Sequence, residues 1–293
     1  MSLRRFLPAL ALLLFAAPIV TAAPPLKALI VDGQMNKWHP GTAVTPVLKS
    51  CLEQTKLFEV DVATSPAAGE DMSGFAPDFK AYDVVVLNYD GDEWSAATKK
   101  AFVDYVRGGG GVVIYHSADN AFPKWPEFNE MIAVGGWGNR SETEGVYIRW
   151  RDGKMVTDAK PGKAGSHGPQ HAYQLVVLAP EHPVTKGLPE KFMHSADELY
   201  DSLRGPAKNV TVLATAFSSP DQRGTGENEP MLMAIDFGKG RVFHTTLGHA
   251  GEQLQSVAFI VTYQRGTEWA ATGKVTQAVP DDFPGPDEPS VRK

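Results

Sequence analysis

An apolar run that starts on glycines and stops on a histidine sets the frame for this chain. Gly108-Gly109-Gly110-Gly111 leads into Val112-Val113-Ile114-Tyr115, and the run breaks off at His116-Ser117-Ala118-Asp119. The glycines let a preceding helix end and the chain turn sharply. The apolar residues read as a strand. In an open α/β sheet, ligands bind outside the carboxyl ends of the strands, so His116 stands where a rigidly held side chain reaches a ligand. The alternative for His116 is a strand cap that hydrogen-bonds backbone.

The surrounding pattern extends this reading. Residues 26–33 form a first apolar run that closes on Asp32-Gly33. Residues 42–56 have helical spacing, with Val44, Val47, Leu48, Cys51 and Leu52 on one side. Residues 58–63 alternate as a strand, and 83–89 form a continuous apolar run suited to a parallel sheet. Ser95 is a plausible N-cap for a helix that runs to Arg107 and ends at Gly108. This alternation predicts a doubly wound, mainly parallel sheet with strands at 28–31, 60–62, 84–87 and 112–115 and helices on both faces. Asp32, Asn88 and His116 then share one carboxyl edge. After residue 125 the half-chain is more elaborate, with short strand-like runs at 146–151, 172–178, 199–203, 210–216, 231–237 and 241–246. Gly238-Lys239-Gly240 between the last two signals a hairpin. A last helix is expected over 252–263. The Pro-rich end lacks the apolar content to pack on its own, so residues 273–293 are expected as an extended or disordered tail behind one domain at 23–272.

The first 22 residues have a different character. Arg4-Arg5, an apolar run over 6–20 and the small residues of Thr21-Ala22-Ala23 read as a secretory signal cut after Ala22 or Ala23. The run is short and broken by Pro8 and Pro18, so no stable membrane anchor is expected after cleavage. The expected location is the periplasm or the medium. Removing 1–22 takes away two arginines and no acid, which moves the net charge from −6 to −8. An acidic chain with no basic run argues against nucleic acid or an anionic membrane as partner. Cys51 is the only cysteine, which excludes an intramolecular disulfide and a thiolate metal cluster and suggests a buried thiol. Composition leaves the oligomeric state open.

Four polar segments stand at expected strand exits: Asp32 to His39, Asn88 to Trp94, His116 to Asn120 and Thr245 to Gly251. Together they outline a cleft. If Ser195 to Asp201 is extended, Glu198 and Tyr200 share one face, with Asp197 and Leu199 on the other. Glu198 suits an acid, a base or a metal ligand, and pairing with an arginine or capping backbone is the alternative. His116, Glu198 and His249 are therefore the candidate catalytic residues and the candidate ligands for a divalent metal ion. Asp32, Asn88, Trp94, Asp119 and Tyr200 are the candidate substrate contacts. His167 and His171 are spaced i, i+4, but Gly168 and Pro169 between them argue against the helix of a metalloprotease motif. His182 and His194 read as loop histidines, and His244 as a strand residue in the packing. Trp38, Trp94, Trp125 and Trp137 follow strands or flank the second polar segment, where aromatic faces suit the C–H faces of pyranose rings; packing is the alternative for each. Trp150 and Trp269 are assigned to the core. The glycine run precedes a strand rather than joining a strand to a helix, so no nucleotide is expected, and there is no Gly-x-Ser-x-Gly elbow.

The ordered set of motifs resembles the ThuA-like (trehalose-utilisation) family. The matching pieces are the glycine run into Val113-Ile114-Tyr115-His116-Ser117-Ala118, then Glu181-His182-Pro183-Val184-Thr185-Lys186-Gly187-Leu188-Pro189, then Asp197-Glu198-Leu199-Tyr200. Gly240 to His249 and Glu268-Trp269-Ala270-Ala271 complete the set. The resemblance implies a flavodoxin-like three-layer sandwich, the fold of class I glutamine amidotransferases. It also implies a role in sugar breakdown, where glycosides are oxidised to 3-keto sugars and then processed. That fold normally carries a cysteine nucleophile at the strand end where this chain has His116, so thiol and glutaminase chemistry are excluded here. Family members are often cytoplasmic, whereas this chain carries an export signal.

Three readings follow. The first is an enzyme acting on keto-glycosides, a hydrolase or lyase, with His116 as base, Glu198 as acid or ligand and His249 as partner of an enolate or metal. The second is a non-catalytic sugar-binding module with a small carbohydrate in the same cleft. The third is a structural or interaction protein with a satisfied polar cleft.

Overall fold

The computed structural model describes residues 24–39 and 41–293. The expected signal at 1–22 lies outside the described residues. The first strand, β1 (Leu26–Asp32), is followed by helix α1 (Thr45–Glu53) and β2 (Phe58–Thr64), and then by β3 (Val84–Leu87), helix α2 (Ala96–Gly108) and β4 (Gly111–Tyr115). These strands lie in the spatial order β2-β1-β3-β4 and are all parallel. That is the strand order of a flavodoxin-like sheet. Ser95 caps α2 by accepting the Thr98 N–H at 3.1 Å.

The second half begins with helix α3 (Pro126–Ile132) and an outlying sheet in which β5 (Val146–Arg151) pairs with β6 (Lys154–Asp158). A short strand, β7 (Ser166–His167), precedes β8 (His171–Val177) and β9 (Lys191–Asp197). The expected strand over 199–203 is two pieces, β10 (Tyr200–Asp201) and β11 (Arg204–Gly205), because Ser202 between them turns through φ +57°. The β10 strand pairs with β7, and β11 pairs with β5. The long strands β12 (Val210–Phe217), β13 (Asn228–Phe237) and β14 (Gly240–Thr245) precede helix α4 (Val257–Thr272). The β14 strand runs parallel to β4, and β13, β12, β8 and β9 continue antiparallel to complete nine strands.

Strand residues alternate between two cores, one on each face of the sheet. Ala28 and Ile30 of β1, with Val113 and Tyr115 of β4, join Leu48 and Leu52 of α1 and Phe259 and Tyr263 of α4. Leu29, Val31, Val112 and Ile114 join Phe102 and Val106 of α2 and Phe128 of α3. A continuous apolar run is what a strand covered on both faces requires. Gly111 starts β4 because an added Cβ would stand 2.5 Å from the Ala270 carbonyl oxygen at the end of α4.

Helix α4 starts later than the expected 252 because residues Gly251–Gln255 form a separate 3-10 turn, and it runs on to Thr272 before Gly273 ends it at φ +76°. Residues beyond Gly273 run extended along the domain. Phe283 packs edge-on against Phe192 at 5.1 Å, the Met193 N–H donates to the Gly285 carbonyl at 2.9 Å, and the Val257 N–H donates to the Ser290 carbonyl at 2.9 Å. Among the described residues, no helix is long and apolar enough to cross a membrane.

Candidate functional site

Strand β4 ends in the middle of the sheet, and His116 leaves it at φ +44°. A side chain with a Cβ held in this region costs about 1–3 kcal/mol. Full burial of a single Val or Ile contributes roughly 1.5–3 kcal/mol, so the buried side chains of Val112, Val113, Ile114 and Tyr115 hold this exit without difficulty. His116 is fully buried. Its Nδ1–H donates to the Thr246 carbonyl at 2.6 Å, while Nε2 has no hydrogen-bond partner among the described residues and stands 3.8 Å from Glu198 Oε2. Burial, against the pull of Asp197 and the Thr246 carbonyl, lowers its pKa and favours the neutral ring. The histidine thus caps backbone with one nitrogen and offers a lone pair with the other.

Glu198 follows β9 directly. Its Oε2 lies 3.2 Å from His249 Nδ1 without hydrogen-bond alignment, and its Oε1 lies 3.8 Å from His167 Nε2. Burial favours the neutral acid, but His249, His116 and His167 outweigh it and hold the carboxyl below its ordinary range. The His249 ring responds in the opposite sense: burial disfavours its charge, and the Glu198 carboxylate overcomes this and raises its pKa.

Asp197 organises the ground beneath both residues. It is fully buried, and its Oδ2 accepts the Gly248 N–H and His194 Nε2–H, each at 2.7 Å. Its Oδ1 accepts the Glu198 N–H at 2.8 Å and the His249 N–H at 3.3 Å. His194 passes the network on through Nδ1 to Ser256 Oγ at 2.9 Å. Burial would raise the Asp197 pKa, and His194, His116 and the Gly248 amide overcome it and keep the carboxyl ionised below its usual range. The Tyr115 hydroxyl donates to the Gly248 carbonyl. Gly248 sits at φ +95°, where an added Cβ would also press on Phe259 at 2.7 Å.

A fourth ligand-type side chain, His39, comes from the loop after β1. Its Nδ1–H donates to Asn36 Oδ1 at 2.8 Å, and its Nε2 accepts the Tyr200 hydroxyl at 3.0 Å. Burial first, then neighbouring His116 and His249, push its pKa down to about 3. Donor atoms of His39, His116, Glu198 and His249 all lie within 4.8 Å of one another. Two imidazoles kept neutral, a third paired with a carboxylate, and no thiolate form a donor set suited to a divalent zinc, manganese or iron ion. Asn36 and the Thr246 carbonyl fix the ring orientations from outside, as second partners of metal-binding histidines do.

The group opens into a cleft of about 590 Å³ walled by Trp38, Asp90, Asn120, Trp137, His167 and Tyr200. The Tyr200 ring lies against His116 at 4.3 Å between centroids, and Trp137 lies against Tyr200 at 4.7 Å.

His116, Glu198 and His249 therefore converge, and Tyr200 stands with them. The other four expected substrate contacts do not reach the cleft. Asp32 is consumed in the fold, accepting the Thr45 and Thr64 hydroxyls at 2.6 Å each and so tying α1 to β2. Asn88 donates to the Gly41 carbonyl and to Thr45 Oγ1 at 3.1 Å each. Trp94 is 3% exposed in an aromatic core with Phe79, Phe102, Phe122 and Trp125. Asp119 is fully buried, with Oδ2 3.4 Å from His244 Nε2. Each lies at or beside a strand exit with its side chain turned inward, Asp32 and Asn88 onto hydrogen-bond partners and Trp94 and Asp119 into buried surroundings. His194 is a β9 residue rather than a loop residue, and Trp150 is only half-buried. His39 was not singled out by sequence; its signal is the asparagine three positions earlier that orients its ring.

The comparisons agree with this architecture. The ThuA family model, described as trehalose utilisation, matches residues 27–270. A ThuA-like protein from Parabacteroides merdae is 50% identical over 92% of this chain and 98% of its own, with a TM-score of 0.89. A ThuA-like protein from Bacteroides uniformis shares the fold at 21% identity and a TM-score of 0.58, covering 89% of this chain and 97% of its own. A cytoplasmic protein from Salmonella typhimurium shares it at 17% identity and a TM-score of 0.50, covering 84% and 99%. No curated protein matches the chain significantly. With the family matched across nearly the whole described domain and a half-identical relative superposing on it, the chain belongs to the ThuA family, with its glutamine amidotransferase-like fold.

Proposed function

We propose that this protein is an exported enzyme that processes 3-keto-glycosides, such as oxidised trehalose, with a divalent metal ion held by His39, His116, Glu198 and His249. The observation that carries the reading is the meeting of four ligand-type side chains from four separate segments within 4.8 Å, at the base of a cleft. A keto group at C3 acidifies the neighbouring C–H, so removal of that proton lets the glycosidic oxygen leave. A bound ion would supply Lewis acidity to the keto oxygen. His116 lies beneath the cleft floor with its Nε2 toward Glu198, which fits a ligand better than the base first expected of it. His167 is the wall residue suited to move the proton: its Nδ1–H donates to the Gly168 carbonyl at 2.8 Å, leaving the Nε2 lone pair free. The trehalose context comes from the family description, and the keto sugar from the resemblance read in the sequence motifs.

Metal analysis of the purified protein, zinc and manganese titration, and an assay of 3-keto-trehalose cleavage test the reading together. Metal-dependent cleavage supports it. Absence of metal binding and of cleavage refutes it. Tight binding of the sugar with no turnover would instead favour a sugar-binding module, a reading that the exposed ring of Trp38 at the cleft rim also suits.

A further inference from the structure

Two tryptophans line the cleft with part of each ring left outside the core, Trp38 almost wholly and Trp137 packed against the core on one side only. Trp38 is 73% exposed at the rim, although its neighbour His39 is drawn into the metal-capable group. Lys37 Nζ sits 4.7 Å from the Trp38 ring centre, and the Trp38 N–H donates to Asn36 Oδ1 at 3.1 Å. The asparagine that orients His39 therefore also fixes the backbone that presents Trp38. An indole left in water gives up the burial that normally stabilises it.

Trp137 shows a different strain. Its backbone is left-handed, at φ +48°, a region where a bulky residue is a genuine outlier. The position is enforced by its N–H donating to the Ala164 carbonyl at 3.0 Å and by the close approach of Gly165, whose added Cβ would fall 2.6 Å from the Trp137 ring. The ring is only half-buried, facing His167 at 6.1 Å as well as Tyr200. Strain kept at a cleft wall by surrounding structure is a mark of a residue held for a ligand.

We propose that Trp137 and Trp38 are stacking platforms for two successive rings of a glycoside, so that the cleft takes a two-ring substrate rather than a single sugar. Trp137 stands one aromatic ring away from His116 and receives the ring next to the metal-capable group. Trp38 stands at the mouth and receives the second ring. Asp90 and Asn120, which also line the cleft, carry oxygens suited to accept from hydroxyls. The inference rests on the carbohydrate reading above and gives it a length and an orientation.

Calorimetric titration of the intact protein with trehalose and with glucose tests it, because neither sugar carries the keto group that the proposed chemistry needs. The expected result is tighter binding of trehalose than glucose by the wild type. Trp38→Ala should weaken trehalose about tenfold and leave glucose unchanged, while Trp137→Ala should weaken both by about tenfold or more. Trp137→Phe keeps an aromatic face and should retain most of the affinity, which separates lost stacking from misfolding. Equal affinity for the two sugars, no binding of either, or an unchanged trehalose affinity in Trp38→Ala overturns the inference. Metal titration of the same preparations reads the metal centre separately, so loss of the two-ring reading with metal binding intact is distinguishable from failure of both.

Discussion

The buried carboxylate of Asp197 accepts the Gly248 backbone N–H at 2.7 Å and thereby joins the end of β9 to the exit of β14. Glu198 and His249 each follow one of these two anchored residues, so their separation is set by one hydrogen-bonded carboxylate. Asp197→Ala should destabilise the protein by about 3–5 kcal/mol, because it strands the buried partners of a charge. The pH dependence has a definite sign. Since the folded state lowers the Asp197 pKa, its contribution is present above the unfolded carboxyl value of about 3.9 and is lost as pH falls through the lower folded value. Urea unfolding of wild type and Asp197→Asn between neutral pH and pH ~3 should therefore show curves that converge in acid.

The metal-capable group yields a graded expectation. Glu198→Gln keeps the shape and removes the charge, and zinc or manganese affinity measured by calorimetry should fall by roughly a hundredfold or more. Asn36→Ala touches no ion but frees the His39 ring, and should cost about 10–100-fold. Equal affinities across wild type and both variants would show that the ion binds elsewhere.

His39 makes the metal-free protein sensitive to mild acid. Its pKa falls from 6.5 to about 3 on folding, so the unfolded chain takes up a proton that the folded one refuses across that interval. Stability should then decline as pH drops below 6.5, with a slope on the order of 1 kcal/mol per pH unit at most. His39→Asn should flatten the slope in denaturant titrations of chelator-treated protein.

Substitution at Trp137 separates backbone strain from packing. At φ +48° alanine is disfavoured relative to glycine by about 1–2 kcal/mol. Trp137→Gly should accordingly melt higher than Trp137→Ala, although glycine offers fewer contacts. The reverse order would show that this backbone relaxes freely.

Export gives a simple check outside the described residues. The proposed cleavage predicts a mature protein starting near Ala23 or Pro24. N-terminal sequencing that returned Met1 or Ser2 from native material would refute it.

The parallel half of the sheet was legible because burial on both faces writes itself as unbroken apolar runs, as in Val84–Leu87 and Gly111–Tyr115. The strand Lys191–Asp197 was not, because its buried positions include His194, Ser195 and Asp197, which read as polar until their partners are known. Strand exits located the cleft, and His116 and His249 with it. The same rule failed for Asp32, Asn88, Trp94 and Asp119, since position along a strand says nothing about which way a side chain is satisfied. His39 was hidden for the converse reason: it lies on a loop without periodicity, and only the convergence of distant segments gives it meaning.

The docked segment beyond Gly273 has a consequence for how far a disturbance travels. Ser290 and Arg292 hydrogen-bond the backbone at Val257 and Gln255, flanking the serine that supports His194 and, through it, Asp197. The foundation of the cleft thus depends on a segment that lies outside the sheet and is held to it by backbone hydrogen bonds. Loosening that segment would leave the parallel sheet folded and still disturb the floor beneath Glu198 and His249.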